Sequence, residues 1–154
     1  MITDSLLWLS GSPGATTGQA VTTTAVSTNT IDLSVARDVG HGEDLYAQFI
    51  VDTAVTAAGA ATVRFEIITS AAADLSSPTV IAASGDIGKA SLVLGARVSL
   101  CIPTNSLTPL GQRYLGARYT VSTGPLTAGT FEAFITTADD IVKQKSYASG
   151  FTVA

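Results

Sequence analysis

The chain has 154 residues, of which 46% are hydrophobic, 13% charged and 6% aromatic. That length allows one domain with a real core, and the apolar content argues against disorder. The charged fraction is about half the usual ~25%. The net charge is −4, and Arg37, Arg64, Lys89, Arg97, Arg113 and Arg118 are scattered among acids. This excludes the clustered basic surface that a nucleic-acid binder needs.

Residues 1–18 differ from the rest. The start, Met1-Ile2-Thr3-Asp4-Ser5-Leu6-Leu7-Trp8-Leu9, carries an acid where a signal peptide wants a base, and its apolar block is short. No run approaches the ~18 apolar residues of a membrane span. The expectation is a protein that begins here, folds in a cytoplasm and touches no membrane. Leu6, Leu7, Trp8 and Leu9 form an apolar run without period, broken by Gly11-Ser12-Pro13-Gly14. This pattern predicts an N-terminal arm over 1–18. Either the arm packs against a partner, or Trp8 caps the domain's own core.

Residues 19–137 read as a succession of short strands. Gln19–Ser27 is rich in Thr and Val, and Asn29–Leu33 alternates. Gly40-His41-Gly42 is a turn. From Asp44 to Thr53, Leu45, Ala47, Phe49 and Val51 share one face, while Tyr46, Gln48 and Asp52 take the other. Val55-Thr56-Ala57-Ala58-Gly59 then reads as the turn of a hairpin whose second strand points Val63, Phe65 and Ile67 inward and Arg64 and Glu66 outward. Thr79–Ser84 is a short strand, Gly85-Asp86 a turn, and Gly88–Gly95 a loop. Val98, Leu100 and Ile102 mark the next inward face, ended by Pro103. Leu115, Ala117, Tyr119 and Val121 alternate with Tyr114, Arg118 and Thr120. Leu126-Thr127-Ala128-Gly129 repeats the earlier turn pattern, and Phe131, Ala133 and Ile135 return from it.

About eight strands with Gly/Pro punctuation predict an all-β fold, an antiparallel β-sandwich of jelly-roll type, with arms at both ends. Residues 138–154 form the C-terminal tail. Asp139–Lys145 fits either a helical turn or a linker, and Tyr147 and Phe151 are anchors in an exposed segment.

The chemistry of catalysis is thin. The one histidine, His41, has no Cys/His cluster around it and fits a polar turn. Gly40-His41-Gly42 is not a dinucleotide loop, since Leu45 stands at the third glycine position. The one cysteine, Cys101, excludes an intramolecular disulfide and reads as a small packing residue. Glu43-Asp44 and Asp139-Asp140 lie in no calcium-loop pattern and read as solvated turns. Glu66 and Glu132 occupy matching places in the two turn-strand units and are the candidates for a glycosidase pair. Surface carboxylates on an alternating face are the simpler reading. No enzyme activity, metal or cofactor is expected.

The order of elements resembles a known family. The pieces are Gly18–Thr22 leading to Ser27–Leu33, Ala36–Gly40 with Glu43–Tyr46, Thr56–Val63, Leu75–Thr79, and Arg113–Leu115 with Tyr119–Gly129. From about Gly18 to about Thr137 the chain resembles the capsid cement, or decoration, proteins of tailed bacteriophages, of the Bordetella-phage type. Ser10–Thr17 and residues 138–154 are extra length relative to that pattern. The resemblance implies a jelly roll on the outer surface of a phage head, bridging major capsid proteins and pairing with itself as a homodimer. Leu6, Leu7, Trp8, Leu9, Tyr147 and Phe151 are then the expected partner contacts. The alternative is a jelly-roll carbohydrate-binding module on the virion surface, using outward aromatics such as Tyr46 and Tyr114.

Overall fold

The computed structural model describes residues 5–12, 17–34, 44–103 and 112–143. His41, with its flanking glycines, Glu43, Tyr147 and Phe151 lie outside these.

Ten strands are formed among the described residues. β1 (Trp8–Ser10), β2 (Gln19–Ala20), β3 (Ala25–Val26) and β4 (Ile31–Asp32) are short. β5 (Leu45–Thr56), β6 (Thr62–Ser70), β7 (Thr79–Gly88), β9 (Tyr114–Ser122) and β10 (Ala128–Thr137) are long. β8 (Arg97–Cys101) lies between them in length, and α1 (Ala138–Lys143) follows β10 directly. The helical option for the segment after Thr137 therefore holds.

All pairing is antiparallel, in two sheets. One has the order β1-β10-β5-β8, with β2 also on β10; the other has β3-β9-β6-β7, with β4 also on β9. Counted as one interrupted strand each, β1/β2 and β3/β4 bring the total to eight. The pairs β1/β2 with β10, β3/β4 with β9, β5 with β8 and β6 with β7 are nested along the chain and fall alternately in the first and second sheet. Wrapping that nested ribbon until β10 meets β5 and β9 meets β6 makes a jelly roll.

The period-two pattern fixes what lies between the sheets. Phe49 and Phe131 from the first sheet meet Phe65 and Tyr119 from the second, all fully buried. Their rings pack at centroid distances from 5.1 Å for Tyr119–Phe131 to 6.0 Å for Phe49–Tyr119. Large aromatic rings in offset and edge-on contact add stabilisation beyond the area they bury.

Three expectations change. The two look-alike turns are not hairpins. β5 lies in one sheet and β6 in the other, and likewise β9 and β10, so each turn is an arch across the core. The arches lie side by side: the Thr56 and Thr127 hydroxyls share a hydrogen bond of 2.7 Å, and Thr127 N–H donates to Thr56 O at 2.8 Å. Among the described residues, the single hairpin between adjacent long strands of one sheet is β6–β7. β7 also runs through the expected turn at Gly85-Asp86. The register shifts there, with Gly85 at φ 76, so the glycine makes a bulge in a continuous strand.

The N-terminal segment is the third change. Trp8–Ser10 and Gln19–Ala20 are edge strands on β10. Gly18 has to be glycine: a Cβ there would lie 2.5 Å from Phe131 O. Leu9 is 0% exposed and belongs to the main core, and Trp8 is buried against Phe134 with ring centroids 5.0 Å apart. These two are thus occupied within the domain. Leu6, 78% exposed, and Leu7 precede them in a 3-10 turn over Ser5–Leu7.

Candidate functional surfaces

Alternation sends every second side chain of the long strands outward, so the outer faces of the sheets are where chemistry can meet a partner. On the β6/β9 face, β6 offers Arg64 and Glu66, and β9 offers Arg118 and Thr120. The register sets Glu66 opposite Arg118 and Arg64 opposite Thr120. Arg118 Nε donates to Glu66 Oε2 at 2.6 Å, and the Thr120 hydroxyl donates to the same oxygen at 2.8 Å. Arg64 Nη1 stands 3.9 Å from Glu66 Oε1, while its Nε and Nη2 each reach Asp86 Oδ1 at 2.8 Å. Glu66 is therefore outward, as alternation predicts, yet only 3% exposed. The expected surface carboxylate is a buried hub, roofed by the arms of its own partners. The signal was present in the sequence as two same-face polar pairs, Arg64/Glu66 and Arg118/Thr120. Their register against each other was not.

Beside this network the face is closed by the segment 71–78. Gly116 opposes Ile68, and a Cβ on Gly116 would sit inside contact distance of Leu75 Cδ1. Leu75, buried and held at φ 56, fills that notch. Ser70 Oγ donates to Ser76 O at 2.7 Å and accepts from Ala72 N–H at 3.1 Å.

The β5/β10 face differs. Asp52 Oδ2 accepts from Gly18 N–H at 3.0 Å and from the Thr130 hydroxyl at 3.1 Å. Glu132 lies near it, and burial, with the Asp52 charge adding to it, pushes its carboxyl above the usual carboxylate range. Gln48, also outward and buried, accepts from the Ser99 hydroxyl at 2.7 Å. Cys101 is exposed on this face, so it is not the packing residue expected. It alternates with Leu100, which takes the inward place.

These placements separate residues that the sequence grouped. Glu66 and Glu132 are on outer faces of different sheets, with the core between them, so they share no cleft. Tyr46 and Tyr114 are likewise on opposite sides and form no common aromatic platform. Tyr114 instead stacks under Arg113, whose guanidinium carbon is 5.1 Å from the ring centroid. Arg113 also grips Asp32 through two bonds of 2.8 Å, joining β4 to β9. That hydrogen bonding, with Ser34 N–H adding to it, holds the Asp32 carboxyl at about 2. Among the described residues no group of three metal-ligating side chains occurs, and no helix is long and apolar enough to cross a membrane.

Fold and faces together define a jelly-roll sandwich whose outer surfaces carry interlocked polar side chains. The Bbp16 profile matches residues 15–135, a span that takes in β2 to β9 and nearly all of β10. The chain belongs to the Bbp16 family, a family of Bordetella phage proteins. No curated protein matches it.

Proposed function

We propose that this chain is a non-enzymatic capsid cement protein, which binds the outside of a tailed-phage head as a dimer and bridges neighbouring major capsid proteins. The observation that carries the proposal is the family match over 15–135, which coincides with the region resembling decoration proteins. The structure supports it physically. On the β6/β9 face Glu66, Arg118, Arg64 and Asp86 pair with one another, so a neighbour can pack there with little desolvation of free charge. A repeated lattice of sites raises overall affinity even where each contact is modest. Leu6 and Leu7, exposed beside a buried Trp8, are the contacts to the shell.

Purified protein mixed with undecorated heads is expected to cosediment at saturable stoichiometry and to raise the resistance of the heads to heat and osmotic shock. Leu6→Asp with Leu7→Asp is expected to weaken binding without lowering the protein's own melting temperature. Failure of the unaltered protein to bind would remove the proposal.

A further inference from the structure

The two sheets have four edges, and the sequence treats them differently. β1 and β2 interrupt one edge, with a register shift within β1. β3 and β4 leave another as two dipeptides. β7 carries two register shifts along its length. Interruptions and bulges of this kind keep an edge from pairing with a foreign strand. β8 has neither, and its five residues run beside β5 without a shift.

The backbone of β8 can be followed group by group. Ile102 N–H donates to Leu45 O, and Val51 N–H donates to Ala96 O. With Tyr46 opposite Cys101 and Ile50 opposite Arg97, residues 98 and 100 are the ones that hydrogen-bond to β5. The N–H and C=O groups of Ser99 and Cys101 point away from it. Among the described residues no second strand pairs with β8.

We propose that β8 pairs antiparallel with β8 of a second copy, about a twofold axis at Ser99, and so joins two β1-β10-β5-β8 sheets into one. This deepens the dimer of the proposed function and rests on that reading for its place on the head. Centring on Ser99 is the register that overlaps all five residues. It places Ser99 opposite Ser99 of the partner subunit and Arg97 opposite Cys101 of the partner subunit. No like charges then stand opposite each other. A five-residue ribbon alone falls short of the roughly 1,000 Å² that a specific interface needs. The chain enters β8 past Val93 and Leu94, 55% and 71% exposed, and antiparallel pairing brings these apolar side chains to the end of the partner strand.

The test uses the full chain and needs no heads, so its failure is distinct from failure of the capsid proposal. Sedimentation velocity is expected to show a dimer that Ser99→Pro converts to monomer, because proline there removes an N–H that β5 does not use. Ser99→Ala, which loses the same hydroxyl bond to Gln48 but keeps the N–H, is the control and is expected to melt lower than the unaltered protein yet stay dimeric. Directly opposed residues of a hydrogen-bonded antiparallel pair have Cα atoms about 5.5 Å apart, within disulfide range. Ser99→Cys in a Cys101→Ser background is therefore expected to give a disulfide-linked dimer under mild oxidation. A monomeric unaltered protein, a dimer that survives Ser99→Pro, or absence of the cross-link would overturn the inference. Should the proline variant fail to fold, the cross-link decides alone.

Discussion

Replacing Glu66 by alanine tests the buried hub of the β6/β9 face. The carboxylate loses hydrogen bonds of 2.6 Å from Arg118 and 2.8 Å from Thr120. Bonds to a charged group are worth roughly 1.5–3 kcal/mol each when both partners are buried. Here Arg118 and Arg64 keep side-chain exposures of 26% and 38% and recover water, so each bond counts for less. The expected loss is about 2–3 kcal/mol. At roughly 2.1 cal/mol/K per residue, the unfolding entropy of a chain this size turns 1 kcal/mol into about 3 °C, so the melting point should drop by about 6–9 °C. Calorimetry and urea titration measure both quantities. A double-mutant cycle with Arg118→Ala should return a coupling of about 1–2 kcal/mol. Glu66→Ala costing less than about 0.5 kcal/mol would refute the view that this carboxylate organises the face.

Other outcomes follow from the same physics. Tyr119 OH is buried in the aromatic cluster and, among the described residues, makes no hydrogen bond of good geometry; the Ser10 hydroxyl near it donates to Gln19 Oε1 at 2.7 Å. Tyr119→Phe should therefore be neutral or stabilising by up to about 1 kcal/mol, and a marked loss on urea titration would show that the hydroxyl has a partner. Gly116→Ala should displace Leu75 from its notch at about 1–3 kcal/mol and raise proteolytic cleavage within 71–78, which peptide mapping would locate. The Asp32 carboxyl is lowered from 3.8 to about 2 by Arg113. Its contribution is complete above the unfolded value and is lost as pH falls through that window, so Asp32→Asn should flatten the acid limb of a stability–pH curve. Glu132 is shifted the other way, so its ionisation weakens the fold as pH rises past its ordinary value. Glu132→Gln should reduce that slope, and an unchanged curve would remove the assignment.

Much of the molecule is visible in local pattern. The inward faces of β5, β6, β8, β9 and β10 follow from alternation alone, because a half-buried strand must show its two faces in turn. The arches have the local pattern of hairpins for a definite reason. A Thr-Ala-Gly turn between two alternating strands looks the same whether the chain folds back in one sheet or crosses to the other. Alternation places Glu66 outward but does not reveal that it is buried, since its burial depends on Arg118 and Thr120, more than fifty residues away. Trp8 and Leu9 lack period because β1 is three residues long and bulged, too short to display one.

The sequence by itself determined that this is an all-β sandwich with an aromatic-centred core, and it carried the family resemblance. Periodicity is a property of each strand in isolation, and the sequence states it directly. The tertiary structure decided which sheet each strand joins, which outward charges become buried partners, and which edge is left unbroken. Those depend on register between distant segments, such as Ser27 meeting Ala117 across 90 residues. No single stretch of chain contains that information.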